Sequence, residues 1–277
     1  MNSARSASGP REVRSRASHW LVFASGALVG LLGGLIGLGG AEFRLPLVIS
    51  IFGFAALEAV ILNKAMSLIV VTSALVFRSA AVPVHAVLSH FPIVLTLLSG
   101  SLLGAWLGAD IATRLSARAL YRVIALLLVA MAIVLTAAHR SFAHHPAFFT
   151  GYAQIAAGVG AGFIIGIVAA LLGVAGGELI IPTLVLLFGV EIKLAGSLSL
   201  VVSLPTMLVA FARYSRDRTF DVLRAYPQLV ATMAAGSIAG ALSGGLLLGI
   251  VSSEFLLPLL IVVLILSAIK LWRSGTN

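Results

Sequence analysis

Apolar runs close to the length that crosses a bilayer recur from one end of this 277-residue chain to the other. Ten such runs lie between boundaries of glycine, proline and charge: Trp20–Leu38, Leu45–Leu57, Ala65–Phe77, Phe91–Ala112, Ala119–Ala137, Tyr152–Val174, Leu179–Val190, Leu194–Ala212, Tyr226–Ile250 and Phe255–Trp272. Only 10% of the residues are charged, whereas a soluble domain is about a quarter charged. A soluble core cannot absorb this much apolar surface. The sequence therefore predicts an all-α integral membrane protein whose main partner is the lipid bilayer.

The second and seventh runs are too short for a complete crossing. Each has about 12 residues, which as a helix spans under ~20 Å at about 1.5 Å per residue. The hydrocarbon core of a bilayer is ~30 Å thick. We therefore expect Leu45–Leu57 and Leu179–Val190 to be half-helices, or to continue through their flanking loops.

The two halves of the chain repeat each other at an offset of 136 residues (178 − 42). The segment Gly-Leu-Ile-Gly-Leu-Gly-Gly-Ala-Glu-Phe-Arg-Leu-Pro ends at Pro46, and Ala-Leu-Leu-Gly-Val-Ala-Gly-Gly-Glu-Leu-Ile-Ile-Pro ends at Pro182. The matched pairs are Gly37 with Gly173, Gly40 with Gly176, Glu42 with Glu178, Pro46 with Pro182, and Gly53 with Gly189. Chance similarity of apolar sequence would not keep glycine, glutamate and proline in register, so we interpret the halves as two copies of one five-segment unit.

The distribution of positive charge predicts how these copies are oriented. Lysine and arginine concentrate in 1–19, 114–122, 213–224 and 270–273, and they are sparse in 79–90, 139–151 and 251–254. Five crossings per copy put every basic region on the cytoplasmic side, as the positive-inside rule requires. Because five is odd, the second copy is inverted relative to the first. The expected layout is a basic cytoplasmic tail (1–19), a first membrane repeat (20–138), an extracytoplasmic linker (139–151), a second membrane repeat (152–272) and a cytoplasmic tail (273–277), in the plasma (inner) membrane.

Glycines recur at every fourth position in four of the predicted helices. They are Gly26-Gly30-Gly34, Gly100-Gly104-Gly108, Gly158-Gly162-Gly166 and Gly236-Gly240-Gly244. A strip of small residues lets two helices approach closely in lipid, where packing replaces the hydrophobic driving force. We expect these strips to be helix-packing surfaces.

The segments Gly37–Pro46 and Gly173–Pro182 are poor prescriptions for continuous helix. A break there frees backbone N–H groups that lipid cannot satisfy, so these groups must face protein, water or a solute. The start of the next half-helix carries partial positive charge, which favours an anion. Two breaks related by inverted symmetry can meet near the membrane midplane. The alternative is that the glycines only permit a tight turn and close packing.

The glycine motifs of this chain resemble those of a known family. The glycine motif before Pro46, then Gly53, then Ser67-Leu68, is similar to the TauE/SafE family of membrane permeases, and the motif from Gly173 to Pro182 is similar to that family's second repeat. The resemblance covers 20–272. It implies a permease that exports sulfite or organosulfonates such as sulfoacetate. The chain differs from the pattern of the family in carrying Glu42, Glu178 and Arg44 beside the motif.

The matched carboxylates Glu42 and Glu178 have two interpretations. Ionisable groups in a membrane interior are costly and usually functional, and desolvation favours the neutral, protonated form of a carboxyl group. The pair therefore fits a role in proton coupling, with protons as the coupling ion. Alternatively, each carboxylate stabilises the first turn of the following half-helix.

Candidate anion ligands surround the glycine motifs. The predicted binding set is Gly37, Gly39, Gly40, Arg44, Asn63, Lys64, Ser67, Gly173, Gly176, Gly177, Lys193 and Ser199. An oxyanion is bound by arginine or lysine together with backbone N–H donors. The alternatives are that both lysines snorkel to an interface, that Arg44 pairs with Glu42 or Glu178, and that the hydroxyl groups hold helices together.

Other function classes find little support in the residues. The chain has no cysteine, which excludes disulfides and cysteine-ligated metals. It lacks HExxH, and its histidines lie in predicted tails and loops, so we expect no metal, no cofactor and no catalytic activity. The net charge of +9 serves to orient the chain rather than to bind nucleic acid.

The sequence thus predicts a secondary transporter that exports a small anionic solute by alternating access. The alternatives are an anion channel, an intramembrane enzyme and an accessory subunit. The oligomeric state stays open.

Overall fold

The computed structural model describes residues 18–36, 40–79, 84–141, 151–247, 262, 265–266 and 268–273, and over these residues it contains helices and no strand. The helices are α1 (His19–Ile36), α2 (Ala41–Ser50), α3 (Ala56–Ser79), α4 (Val84–Ser89), α5 (Phe91–Arg114), α6 (Ala117–Ser141), α7 (Gly151–Leu172), α8 (Gly177–Phe188), α9 (Ile192–Tyr214), α10 (Val222–Ala225) and α11 (Pro227–Leu247). A 3₁₀ turn, Arg218–Asp221, precedes α10, and residues 268–273 are helical. The expectation of an all-α chain is confirmed for this part of the protein.

Five helical stretches in the described ranges are long and apolar enough to cross a membrane. They are Ala56–Leu75, Phe91–Arg114, Ala117–Val134, Gly151–Leu172 and Leu194–Tyr214, and the shorter apolar helices are His19–Leu32 and Gly177–Phe188. Large apolar side chains on their outer faces are open to the surroundings, for example Leu103, Ile133 and Ile164, which are 65%, 63% and 62% exposed. Such outward apolar surface suits lipid and not water.

Two pairs of helices pack with almost no gap along their glycine strips. A Cβ on Gly30 of α1 would overlap the backbone carbonyl of Ser237 in α11, and one on Gly240 would overlap the carbonyl of Ala27. The same holds between α5 and α7, where Gly104 lies against Phe163 and Gly166 against Ser101. The prediction that these strips are packing surfaces is confirmed at the glycines whose surroundings are described.

Both close pairs join the N-terminal half of the chain to the C-terminal half. Helix α1 packs on α11, α5 packs on α7, and α9 lies against both α3 and α5. The halves therefore interlock through their helices, and residues from both halves build the apolar cluster in which Leu45, Ile61 and Leu172 are fully buried.

Several predicted helix boundaries were wrong. Helix α2 covers Ala41–Ser50 rather than Leu45–Leu57, and α3 begins at Ala56 rather than at Ala65. At the start of α3 the backbone N–H of Ala55 donates to the carboxylate of Glu58 (3.0 Å). This capping interaction was not predicted from the sequence. Helix α6 also continues to Ser141, into the range expected to be linker.

The chain leaves the helical conformation at both glycine motifs. Helix α7 ends at Leu172 and α8 begins at Gly177, with Gly173 and Gly176 at φ values of 67° and 85°. Helix α2 begins directly after Gly40, whose φ is 69°. Only glycine adopts such values readily. At about 1.5 Å per residue, α2 and α8 are about 15 and 18 Å long, so neither crosses the hydrocarbon core alone.

Candidate functional site

The N-terminal ends of α2 and α8 meet inside the protein. Glu42 and Glu178 are each the second residue of their helix, directly after a left-handed glycine and one further residue. Their carboxyl groups lie within hydrogen-bonding reach of each other, and both residues are only 1% exposed. The structure therefore brings together two carboxyl groups that are 136 positions (178 − 42) apart in the chain.

Each of these carboxyl groups also lies beside the backbone N–H of its own residue. The first N–H groups of a helix have no partner within the helix, and a negative group stabilises them. This proximity suits the capping interpretation, but neither carboxyl oxygen of Glu178 has a hydrogen-bond partner among the described residues. Capping also does not account for the proximity of the two carboxyl groups, since two caps need not lie close together.

Arg44 follows on the same short helix and is completely buried. Within the described part of the chain, none of its three guanidinium nitrogens has a hydrogen-bond partner. Glu42 lies near enough to interact with it electrostatically, but the two form no direct ion pair. A buried cation without partners is costly, because its lost hydration is not replaced. The hydrogen-bond donors of this guanidinium are therefore unused within the described residues.

A lysine on helix α3 donates hydrogen bonds to backbone carbonyl groups at the end of α7. The ammonium of Lys64 donates to the carbonyl oxygens of Ala169 (2.8 Å) and Val174 (2.6 Å). The last carbonyls of a helix have no intrahelical partner and carry partial negative charge, so a cation is favoured there. Lys64 is 1% exposed, and the snorkelling alternative is wrong for this residue. The expectation that Lys64 precedes a helix is also wrong, because it lies within α3.

Asn63 links the two glycine motifs. Its amide nitrogen donates to the carbonyl of Ala41 at the start of α2 (3.0 Å) and to that of Leu172 at the end of α7 (3.2 Å). Its carbonyl oxygen is buried and has no partner among the described residues. Ser67, one turn further along α3, donates to Gly173 (3.5 Å). Both residues were predicted at the site, and both lie against the break between α7 and α8.

Helix α9 approaches the site from the other repeat with fewer polar groups. A Cβ on Gly177 would stand 3.8 Å from the hydroxyl oxygen of Ser199, which itself donates to the carbonyl of Gly196 (2.9 Å). Ser199-Leu200 aligns with Ser67-Leu68 only after a gap, at an offset of 132 (199 − 67), and in that alignment Ala195 and Gly196 stand where α3 has Asn63 and Lys64. The polar lining contributed by α3 therefore has no equivalent at these two positions of α9.

Some predicted binding residues stay untested. Gly37 and Gly39 lie outside the described residues, and the side chain of Lys193 in α9 does as well. Gly40 and Gly173 lie in close packing, since a Cβ on Gly40 would overlap the backbone carbonyl of Val29 and one on Gly173 would overlap that of Val60.

Two contacts of α9 were not predicted from the sequence. The hydroxyl of Tyr214, which is fully buried, donates to the carbonyl of Ala170 at 2.9 Å. Arg213 and Arg114 both bind the carboxylate of Asp110 on α5, with Arg213 Nε at 3.0 Å and Arg114 Nε at 2.8 Å. A polar residue at the end of an apolar run was the available signal, but it does not reveal the partner.

Buried ionisable groups among helices of membrane-crossing length are typical of membrane transport proteins. The chain matches the family model described as sulfite exporter TauE/SafE over residues 1–135 and 148–277. The protein belongs to the TauE/SafE family, so it is a multi-pass membrane transporter, and the resemblance found in the glycine motifs is confirmed. No curated protein and no solved structure matches the chain significantly.

Proposed function

We propose that this protein is a secondary transporter that exports a small anion, such as sulfite or an organosulfonate, by alternating access. The observation that carries the proposal is the buried guanidinium of Arg44, whose three nitrogens have no partner in the described residues. A planar guanidinium matches two oxygens of a sulfite or sulfonate group with parallel hydrogen bonds. Family membership supports the same chemical class of substrate.

The neighbouring backbone adds to the attraction for an anion. Arg44 lies in the first turn of α2, and the starts of α2 and α8 come together at Glu42 and Glu178. Helix starts present N–H groups and partial positive charge. Lys64 plays a secondary part, because two carbonyl groups already engage its ammonium.

The inverted repeat supports the alternating-access mechanism. Left-handed glycines recur at matched positions, Gly40 with Gly176 and Gly53 with Gly189. Short helices follow the break in both halves, and α1–α11 and α5–α7 are matched pairs that join one half to the other. Such a scaffold has two related conformations, in which one repeat rocks against the other around a fixed site.

The distribution of charge supports the orientation of the protein in the membrane. The basic tails and the basic loops at 114–122 and 213–224 are expected on the cytoplasmic side of the plasma membrane. Both termini are then cytoplasmic, and an anion exported through the site leaves on the opposite face.

Flux measurements with purified protein in liposomes test this proposal. Sulfite, sulfate, sulfonates and carboxylates are supplied in turn, and we expect saturable flux of at least one sulfur oxyanion. Arg44→Gln removes charge-assisted hydrogen bonds worth about 1.5–3 kcal/mol each, so the apparent affinity should fall at least about tenfold. Arg218→Gln, at an exposed arginine, is the matched control and should leave flux unchanged.

The same experiment distinguishes the alternatives. Absence of flux for every anion would contradict the proposed function, and full activity of Arg44→Gln would remove Arg44 from the site. A channel conducts an anion only down the electrochemical gradient of that anion. Accumulation of the anion against its electrochemical gradient would therefore exclude a channel.

A further inference from the structure

We propose that Glu42 and Glu178 form one proton-binding site shared between the two repeats, and that a proton bound there raises the affinity of Arg44 for a monovalent anion. The inference rests on the proposed function and specifies its coupling. It predicts that one proton moves with each anion in the same direction.

The first argument comes from the geometry of the pair. The two carboxyl groups lie close enough to interact with each other, and both residues are buried. Both oxygens of Glu178 and Oε2 of Glu42 lack any N–H or O–H donor from other described residues. Two negative charges side by side in a water-poor site repel each other strongly, so such carboxyl pairs hold one proton between them. That proton supplies the hydrogen bond which the surrounding residues do not provide.

The second argument comes from the charged groups that face the pair. Arg44 lies on the same helix as Glu42, and Lys64 approaches Glu178 from α3. Helices α1, α7 and α9 bring no further charged side chain to the pair among the residues whose side chains are described. When Arg44 and Lys64 are both charged, the two cations and two carboxylates sum to zero, whereas a shared proton leaves the cluster with one positive charge to be neutralised.

A monovalent anion at Arg44 restores neutrality. With both carboxyl groups ionised, the cluster has no net charge, and a carboxylate close to the guanidinium repels the anion. With the shared proton bound, the cluster has one net positive charge, which the anion neutralises in a site where charges interact strongly. Proton and anion binding therefore strengthen each other, and thermodynamic linkage makes the effect reciprocal.

Binding to the purified full-length protein measures the linkage. Methanesulfonate is the probe because its charge does not change across the neutral range. As the pH rises and the shared proton is lost, the dissociation constant should increase, at most about tenfold per pH unit for one linked proton. A dissociation constant that does not vary with pH would overturn the inference and leave anion transport itself intact.

Neutral variants separate proton coupling from helix capping. Glu178→Gln keeps the size of the side chain and imitates the state with one proton, so it should bind methanesulfonate as tightly as the protonated wild type and lose the dependence on pH. Asp221→Asn removes an exposed carboxylate and is the matched control, with the pH dependence expected to stay as in the wild type. If Glu178→Gln keeps the dependence of the wild type, the glutamates are only helix caps.

Wild-type protein in liposomes gives a test that requires no variant. An outward methanesulfonate gradient should carry protons out with the anion and raise the internal pH, reported by a pH-sensitive dye in the lumen. Anion flux without proton movement overturns the inference while the proposed function survives. Absence of anion binding and flux at every pH overturns both.

Discussion

Two alanine substitutions in α7 should change the stability of the protein in opposite directions. Gly160 and Gly162 are two residues apart on this helix, but they face different surroundings. A Cβ on Gly160 would meet nothing within 4 Å, whereas one on Gly162 would lie 3.1 Å from the carbonyl carbon of Leu97 on α5 and closer still to its oxygen. Real Cβ atoms essentially never approach backbone atoms so closely.

The size of each effect follows from these contacts. Gly160→Ala gains helix propensity of up to about 1 kcal/mol with no steric cost. Gly162→Ala gains the same amount but forces α5 and α7 apart where their backbones are in close contact, and overpacking of this kind costs typically about 1–3 kcal/mol or more. We therefore expect the two variants to differ by about 2 kcal/mol in the free energy of unfolding.

Thermal unfolding of the purified variants in one detergent measures the difference. About 1 kcal/mol corresponds to a shift of about 2–4 °C in Tm for chains of this size, so Gly162→Ala should melt about 4–8 °C below Gly160→Ala. Equal melting temperatures, or a higher value for Gly162→Ala, would refute the close packing of α5 on α7. Because both changes are glycine to alanine on one helix, each serves as the control for the other.

The remaining predictions concern the polar contacts around the site. Lys64→Met leaves the carbonyl groups of Ala169 and Val174 without their donor, so it should lower the free energy of unfolding by about 3 kcal/mol, and an unchanged Tm would contradict the capping of α7 by Lys64. Tyr214→Phe keeps the buried ring but loses the hydrogen bond to Ala170, and chemical denaturation should show a loss of about 1 kcal/mol. Arg44→Gln should weaken anion uptake, and Glu178→Gln should remove its dependence on pH, as set out above.

The glycine strips show which part of the fold can be predicted from the sequence. A period of four small residues places them on one helix face, and in lipid such a face pairs with another helix. The period does not say which helix is the partner. The pairing of Gly30 in α1 with Ser237 in α11 depends on how the two halves interlock.

The buried polar residues of α3 show which contacts cannot be predicted from the sequence. Asn63 and Lys64 interrupt an apolar run, and the sequence therefore predicts a helix boundary at these two residues. They lie inside α3, and their partners are 109 residues (Leu172), 105 residues (Ala169) and 110 residues (Val174) away in the chain. A polar side chain within a membrane helix is stable only where such partners exist, and local sequence carries no record of them.

The sequence by itself determined that the chain is helical, that it lies in a membrane, that it belongs to the TauE/SafE family and that matched glycines and glutamates recur in its two halves. These properties follow from composition, period and offset, which are local or additive along the chain. Only the tertiary structure decided that the carboxyl groups of Glu42 and Glu178 come close together, that no guanidinium nitrogen of Arg44 has a hydrogen-bond partner among the described residues, and that Lys64 donates to a carbonyl group at the end of α7. Contacts between distant residues depend on how whole helices pack, because lipid offers no competing hydrogen bonds and each buried polar group must find its partner inside the protein.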